Sequence, residues 1–144
     1  MDINNLIYDD EKVKNGVPIP IGGDGDAVLY VGRSGAFCQR WNKALLKYQL
    51  EIAQATNNPE LERAVMANVY ADGCLYNFEG LTDGDKPFEY SEENARELLK
   101  KSEPLYEIVV AAARNSDNYL RKAEERLGES SAKKSSGKRS TQAK

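Results

Sequence analysis

Apolar residues occupy every second position of Val17-Pro18-Ile19-Pro20-Ile21. A second apolar run, Ala27-Val28-Leu29-Tyr30-Val31, follows the glycine-rich stretch Gly22-Gly23-Asp24-Gly25-Asp26. Two such runs around a turn predict a β-hairpin. Its first strand belongs at an edge, because proline has no N–H to give to a ladder. After Gly32-Arg33-Ser34-Gly35 the period changes. Phe37, Trp41, Leu45, Tyr48 and Ile52 recur at steps of four, four, three and four, which places them on one face of a helix from about residue 36 to 55. Lys43, Lys47, Glu51 and Gln54 fall off that stripe.

Asn58-Pro59 is a helix start, with Asn58 as cap and proline in the first turn. Leu61, Val65 and Val69 give this helix its apolar face, and Asp72-Gly73 is its expected end unless packing absorbs the glycine. A compact polar-aromatic loop, Asn77-Phe78-Glu79-Gly80, and a turn, Asp83-Gly84-Asp85-Lys86-Pro87, lead to Ser91, an N-cap followed by Glu92 and Glu93. Ser102-Glu103-Pro104 interrupts the helix that begins there. A last helix is expected from about Glu103 to Leu127, kinked or frayed near Arg114-Asn115-Ser116-Asp117. The expectation is an α+β fold, mainly α-helical, with a small N-terminal antiparallel β-hairpin. Residues 1–16 form a flexible segment, 17–127 a single domain and 128–144 a disordered basic tail with no apolar residue larger than alanine.

The net charge of −3 conceals an asymmetry. Residues 128–144 hold five cations and one anion, a charge of +4, which leaves −7 on residues 1–127. An acidic body is a poor surface for phosphates, so nucleic acid is not an expected partner. No apolar run approaches a membrane-span length, and the N-terminus is acidic where a signal peptide would be basic.

Histidine is absent, which removes Ser-His-Asp and Cys-His devices and His-ligated metals. Cys38 and Cys74 lie far apart, each beside apolar residues, and read as buried thiols of a reduced intracellular protein. Gly32-Arg33-Ser34-Gly35-Ala36 lacks the second glycine of a nucleophile elbow. Gly22-Gly23-Asp24-Gly25 lacks the spacing of a phosphate loop. Asp83-x-Asp85 fails as a calcium loop, with Phe88 and Asn94 at the sixth and twelfth positions, and Asp24-x-Asp26 fails likewise. No catalytic residue, metal or cofactor is expected, and the chain reads as a non-enzyme. Trp41, the sole tryptophan, is a core anchor first and a partner contact second. Glu79, set between Phe78 and Gly80, reads as a structural or partner-contacting carboxylate.

Taken in order, Gly32-Arg33-Ser34-Gly35-Ala36-Phe37 into Trp41, Asn77-Phe78-Glu79-Gly80, Gly84-Asp85-Lys86-Pro87, Tyr90 and Ser91-Glu92-Glu93-Asn94 resemble the tail assembly chaperones of bacteriophages with long, non-contractile tails. The likeness spans about residues 17 to 125. Phe78 stands where tryptophan is usual and Asn77 where aspartate is usual. The resemblance implies a chaperone that binds the tape measure protein, keeps it soluble and recruits tail tube protein. It further implies self-association, a place in the host cell cytoplasm, absence from the mature virion, and in many members a longer product made by programmed frameshift. Phe37, Trp41, Tyr48, Tyr76, Phe78, Glu79 and Tyr90 are the candidate partner-binding residues. A structural tail-completion or head–tail connector subunit is the alternative.

Overall fold

A computed structural model describes residues 1–121. Strands β1 (Val17–Ile21), β2 (Ala27–Val31) and β3 (Leu75–Glu79) form an antiparallel sheet in the order β1-β2-β3. The expected hairpin is present, with Val17 opposite Val31 and Ile21 opposite Ala27. Pro18 and Pro20 are exposed on the edge strand. Any N–H that β1 gives to β2 therefore comes from Val17, Ile19 or Ile21, and the prolines blunt the outer edge against further pairing. Central strand β2 buries Ala27, Leu29 and Val31 on one side.

The third strand corrects the expected Asn77–Gly80 loop. Leu29 pairs with Phe78 and Val28 with Glu79 across the sheet, and the register shifts between Tyr30 and Val31. The segment reads locally as polar-aromatic and becomes a strand because a partner far away in sequence supplies the ladder. Gly80 ends β3 with φ +84°, and a Cβ there would run into the Asp26 carbonyl oxygen. Gly80→Ala is expected to cost about 2 kcal/mol, from a left-handed backbone and an unyielding backbone neighbour. Urea denaturation checks this, and an unchanged midpoint would show that the β1–β2 turn can move aside. The Asp83–Pro87 turn is a miniature hairpin, β4 (Thr82–Asp83) with β5 (Lys86–Pro87), turned by Gly84 at φ +64°.

Helix α1 (Asp10–Asn15) precedes the sheet, and α2 (Gln39–Lys47) and α3 (Gln49–Gln54) replace the single helix expected over 36–55. Gly35, at φ +138°, delays the start, and Tyr48 leaves helical geometry at φ −105°, ψ 14°. Helix α4 (Pro59–Cys74) is capped by Asn58, which accepts from Leu61 N–H at 3.2 Å. It absorbs Gly73. A Cβ at that position would lie 3.1 Å from Trp41 Cε3 and 3.3 Å from Ala44 Cβ, so the close approach of α2 to α4 needs the missing side chain. Val65, Ala67, Val69, Tyr70, Ala71 and Cys74 are all buried on α4, which makes it the central helix.

Helix α5 (Glu92–Lys101) begins as expected, with Ser91 Oγ accepting from Asn94 N–H at 2.9 Å. Helix α6 (Glu103–Arg114) is capped by Ser102 and ends well short of Leu127. There Asn115 turns extended and caps a 3₁₀ turn over Ser116–Tyr119. The remainder of that expected helix, 122–127, and the expected tail, 128–144, lie outside the described residues.

The N-terminal segment, expected to be flexible, instead carries a 3₁₀ turn (Ile3–Leu6) and α1. It is tied to the end of the described chain. Asp9 N–H donates to the Tyr119 carbonyl at 2.8 Å, Arg121 N–H to Ile7 at 3.0 Å, and Lys12 Nζ to Leu120 at 3.0 Å. Tyr119 is fully buried, and its hydroxyl lies 3.0 Å from the Val31 carbonyl and 3.3 Å from that of Ala112. The main core joins sheet, α4, α5 and α6 through Leu29, Val31, Ala67, Leu75, Phe78, Leu99 and Val109; a second cluster joins α2 and α4 through Ala44, Tyr48, Val65 and Val69, with Ala55.

Candidate partner-binding surface

Asp72, near the C-terminal end of α4, gathers three side-chain donors. Its Oδ2 accepts from Lys47 Nζ at 2.8 Å and from the Tyr48 hydroxyl at 2.9 Å, and its Oδ1 accepts from Arg96 at 2.7 Å. One carboxylate thus joins α2, the break after it, α4 and α5. Burial pushes the Asp72 carboxyl up, but the hydrogen bonds from Lys47, Arg96 and Tyr48 outweigh it and hold the group below its ordinary value. The same bonds raise Lys47 and Arg96. For Tyr48, burial comes first and the bond to Asp72 second, and both push the phenol up.

Above this network lies an open cleft of about 290 Å³, lined by Arg40, Lys43, Ala44, Lys47, Asp72 and Glu92. Arg40 donates through Nε to the Asp72 carbonyl at 3.1 Å and lies 3.9 Å over the Tyr76 ring. Stacking fixes the plane of its guanidinium. Lys43 is exposed and has no hydrogen bond or ion pair among the described residues. Leu46, on α2, and Leu50, on α3, are exposed large apolar side chains.

Six of the seven residues expected from sequence fall into two groups. Around the cleft, Trp41 packs its ring 4.8 Å from Tyr70, Tyr48 is buried against Asp72, and half-buried Tyr76 supports Arg40. Around the sheet end, Phe78 is 3% exposed and stacks on Phe88 at 5.6 Å, with Tyr90 edge-on at 5.4 Å. Tyr90 also donates to the Leu75 carbonyl at 3.4 Å, and exposed Glu79 accepts from the Tyr30 hydroxyl at 3.1 Å. Phe37 belongs to neither group: it precedes α2 and is 95% exposed. Tyr48 and Phe78, as placed, offer no ring surface to a partner and serve as internal anchors.

Sequence reasoning missed Arg40, Asp72 and Arg96 and passed over Lys43 and Lys47 as off-stripe positions. The available signal was Arg40, Lys43 and Lys47 at steps of three and four, a continuous cationic row on α2. Ser34, tested as a nucleophile, is a structural staple: its N–H and hydroxyl both reach the Ala113 carbonyl, at 3.0 and 3.3 Å. Burial pushes the Cys74 thiol well up. Among the described residues no group of His, Cys, Asp or Glu is arranged to hold a metal, and no helix is long and apolar enough to cross a membrane. The arrangement is suited to ion pairing and apolar docking on a rigid helix pair.

No curated protein and no solved structure matches the chain. A family model does, over residues 32–130, which is more than half of the 144 residues and takes in the cleft, α4, β3 and both later helices. On that match the chain is a phage-associated protein and belongs to the YdaY prophage protein family.

Proposed function

We propose that this protein is a non-enzymatic tail assembly chaperone that binds the tape measure protein of its phage, keeps it soluble and promotes assembly of the tail tube. The observation that carries the reading is the outer side of α2 and α3. There, Arg40, Lys43 and Lys47 line a cationic cleft on a helix locked to α4 and α5 through Asp72, with exposed Leu46 on that same helix and exposed Leu50 on the next. A preorganised helix face of mixed apolar and cationic character suits a protein partner better than a small substrate. Prophage family membership and the resemblance of the Gly32–Trp41 and Asn77–Asn94 blocks to tail assembly chaperones support the same reading. In this role the protein acts in the host cytoplasm, associates with tail tube protein and further copies of itself, and leaves before the particle is complete.

Induction of the prophage followed by mass spectrometry of lysate and purified particles tests the reading. The protein is expected in the lysate and missing from the particles. Stoichiometric copies in purified particles would overturn it in favour of a structural tail or connector subunit.

A further inference from the structure

The cleft on α2 carries more positive charge than its own acids neutralise. Both oxygens of Asp72 are already engaged by Lys47, Tyr48 and Arg96. Glu92 is the other acid of the lining, against the two remaining cations Arg40 and Lys43. Arg40 is held in plane by Tyr76 and by the Asp72 carbonyl, so only the outer edge of its guanidinium is left for a ligand. Lys43 has no partner among the described residues. This local excess sits on a body whose net charge is −7. A polyanion such as nucleic acid would meet that body's repulsion along its whole length, whereas a short segment with a few carboxylates meets only the local cations.

Helical geometry adds the apolar half of the recognition. On α2, Leu46 lies three residues from Lys43 and so neighbours it on the helix surface, and exposed Leu50 follows on α3, past the break at Tyr48. A nine-residue helix is about 13 Å long, enough to seat roughly two turns of a second helix. Of the chain's own residues 122–144, only Glu124, Glu125 and Glu129 are anionic, against seven cations.

We infer that the Arg40–Lys43–Lys47 cleft, with Leu46 and Leu50 beside it, docks an acidic amphipathic helical segment of the partner protein. Carboxylates of that segment pair with Arg40 and Lys43, and its apolar stripe covers the two leucines. As a statement about the tape measure protein, the inference rests on the function proposed above.

The test compares capture of co-expressed tape measure protein by the wild-type chain, by Lys43→Glu, by Lys43→Glu with Leu46→Asp, and by Lys86→Glu. The last makes the same charge change on β5, outside the cleft lining. Lys43 and Leu46 are exposed, so the variants are expected to melt within a few degrees of wild type. Lys43→Glu is expected to weaken capture about tenfold and the double variant further, with Lys86→Glu unchanged. Capture by wild type and by the double variant within about twofold of each other would overturn the cleft while leaving the chaperone reading intact. If the wild-type chain captures no tape measure protein, the chaperone reading fails. The cleft is then read with a synthetic helical peptide bearing glutamate on one face and leucine on the other. Preferential binding by wild type would uphold the docking site, and equal binding by wild type and double variant would overturn it. A change in sedimentation between wild type and Lys43→Glu in the absence of any partner would assign the cleft to a second copy and overturn the inference.

Discussion

Phe78→Ala is expected to cost about 3–5 kcal/mol, the range for removing a buried aromatic side chain. Phe78 is the point at which three parts of the molecule meet. It is paired with Leu29 in the sheet, its ring is stacked parallel to Phe88 beyond the miniature hairpin, and Tyr90 stands against it just before the Ser91 cap of α5. Truncation leaves a cavity between the sheet and the segment that leads into α5, and both aromatic neighbours lose their partner. Against a typical total stability of 5–15 kcal/mol, the variant is expected to be partly unfolded at 37 °C. Phe78→Leu retains most of the volume and is expected to lose about 1–1.5 kcal/mol. Phe37→Ala, at a ring almost wholly in solvent, is expected to stay within about 0.5 kcal/mol of wild type. Urea denaturation followed by Trp41 fluorescence separates the three. A Phe78→Ala midpoint close to that of Phe37→Ala would mean that the sheet-end aromatic cluster does not support the fold.

Asp72→Ala is expected to be the next most damaging change, at about 3 kcal/mol. The figure takes about 1 kcal/mol for each of the three hydrogen bonds lost from this partly buried carboxylate, the Lys47 bond contributing least because Lys47 is half in solvent and regains hydration when released. Arg96 and Tyr48 are less exposed and lose more. Acid titration gives a separate signature. The folded-state carboxyl lies below its ordinary value of 3.8, so its contribution is fully present above that pH and is lost as pH falls through the folded value. The wild-type chain therefore loses stability below about pH 4 faster than Asp72→Asn, which cannot titrate at this position. Parallel acid profiles for the two proteins would show that Asp72 is not held by its three donors in solution.

The contrast between these two residues shows what the linear sequence can carry. Caps were legible because their chemistry is local: Asn58 before Pro59 and Ser91 before Glu92 begin their helices where the residue types place them. The β1–β2 hairpin was legible for the same reason. Strand β3 was not, because Asn77 and Glu79 read as loop until Tyr30 and Val28 arrive opposite them. Nor was the break at Tyr48, where the apolar stripe continues but the buried residue is also hydrogen-bonded to Asp72 on another helix. Gly73 looked like a helix end and is instead the place where α2 presses on α4.

The candidate site follows the same division. The aromatic residues Trp41, Tyr48, Tyr76, Phe78 and Tyr90 stand out by type, and the fold spends much of their surface on internal packing. Exposed Lys43, Leu46 and Leu50 are unremarkable by type, and only the packing of α2 on α4 shows which residues of α2 are left uncovered. The N-terminal segment shows the effect in reverse. Residues 3–15 are largely polar, yet Tyr8 takes the Arg33 guanidinium at 4.3 Å and Asp9 N–H donates to the Tyr119 carbonyl, so distant partners add to the local Asp9 cap in ordering them.

The proposed role, holding the tape measure protein in solution, has a direct readout. The most direct measurement is the fraction of tape measure protein in the soluble phase when it is expressed alone, with the wild-type chain, and with the Lys43→Glu, Leu46→Asp chain. Aggregation is expected for tape measure protein alone, a soluble co-purifying complex with the wild-type chain, and a return to the pellet with the double variant. Tape measure protein that partitions identically in all three, with nothing co-purifying, would contradict it.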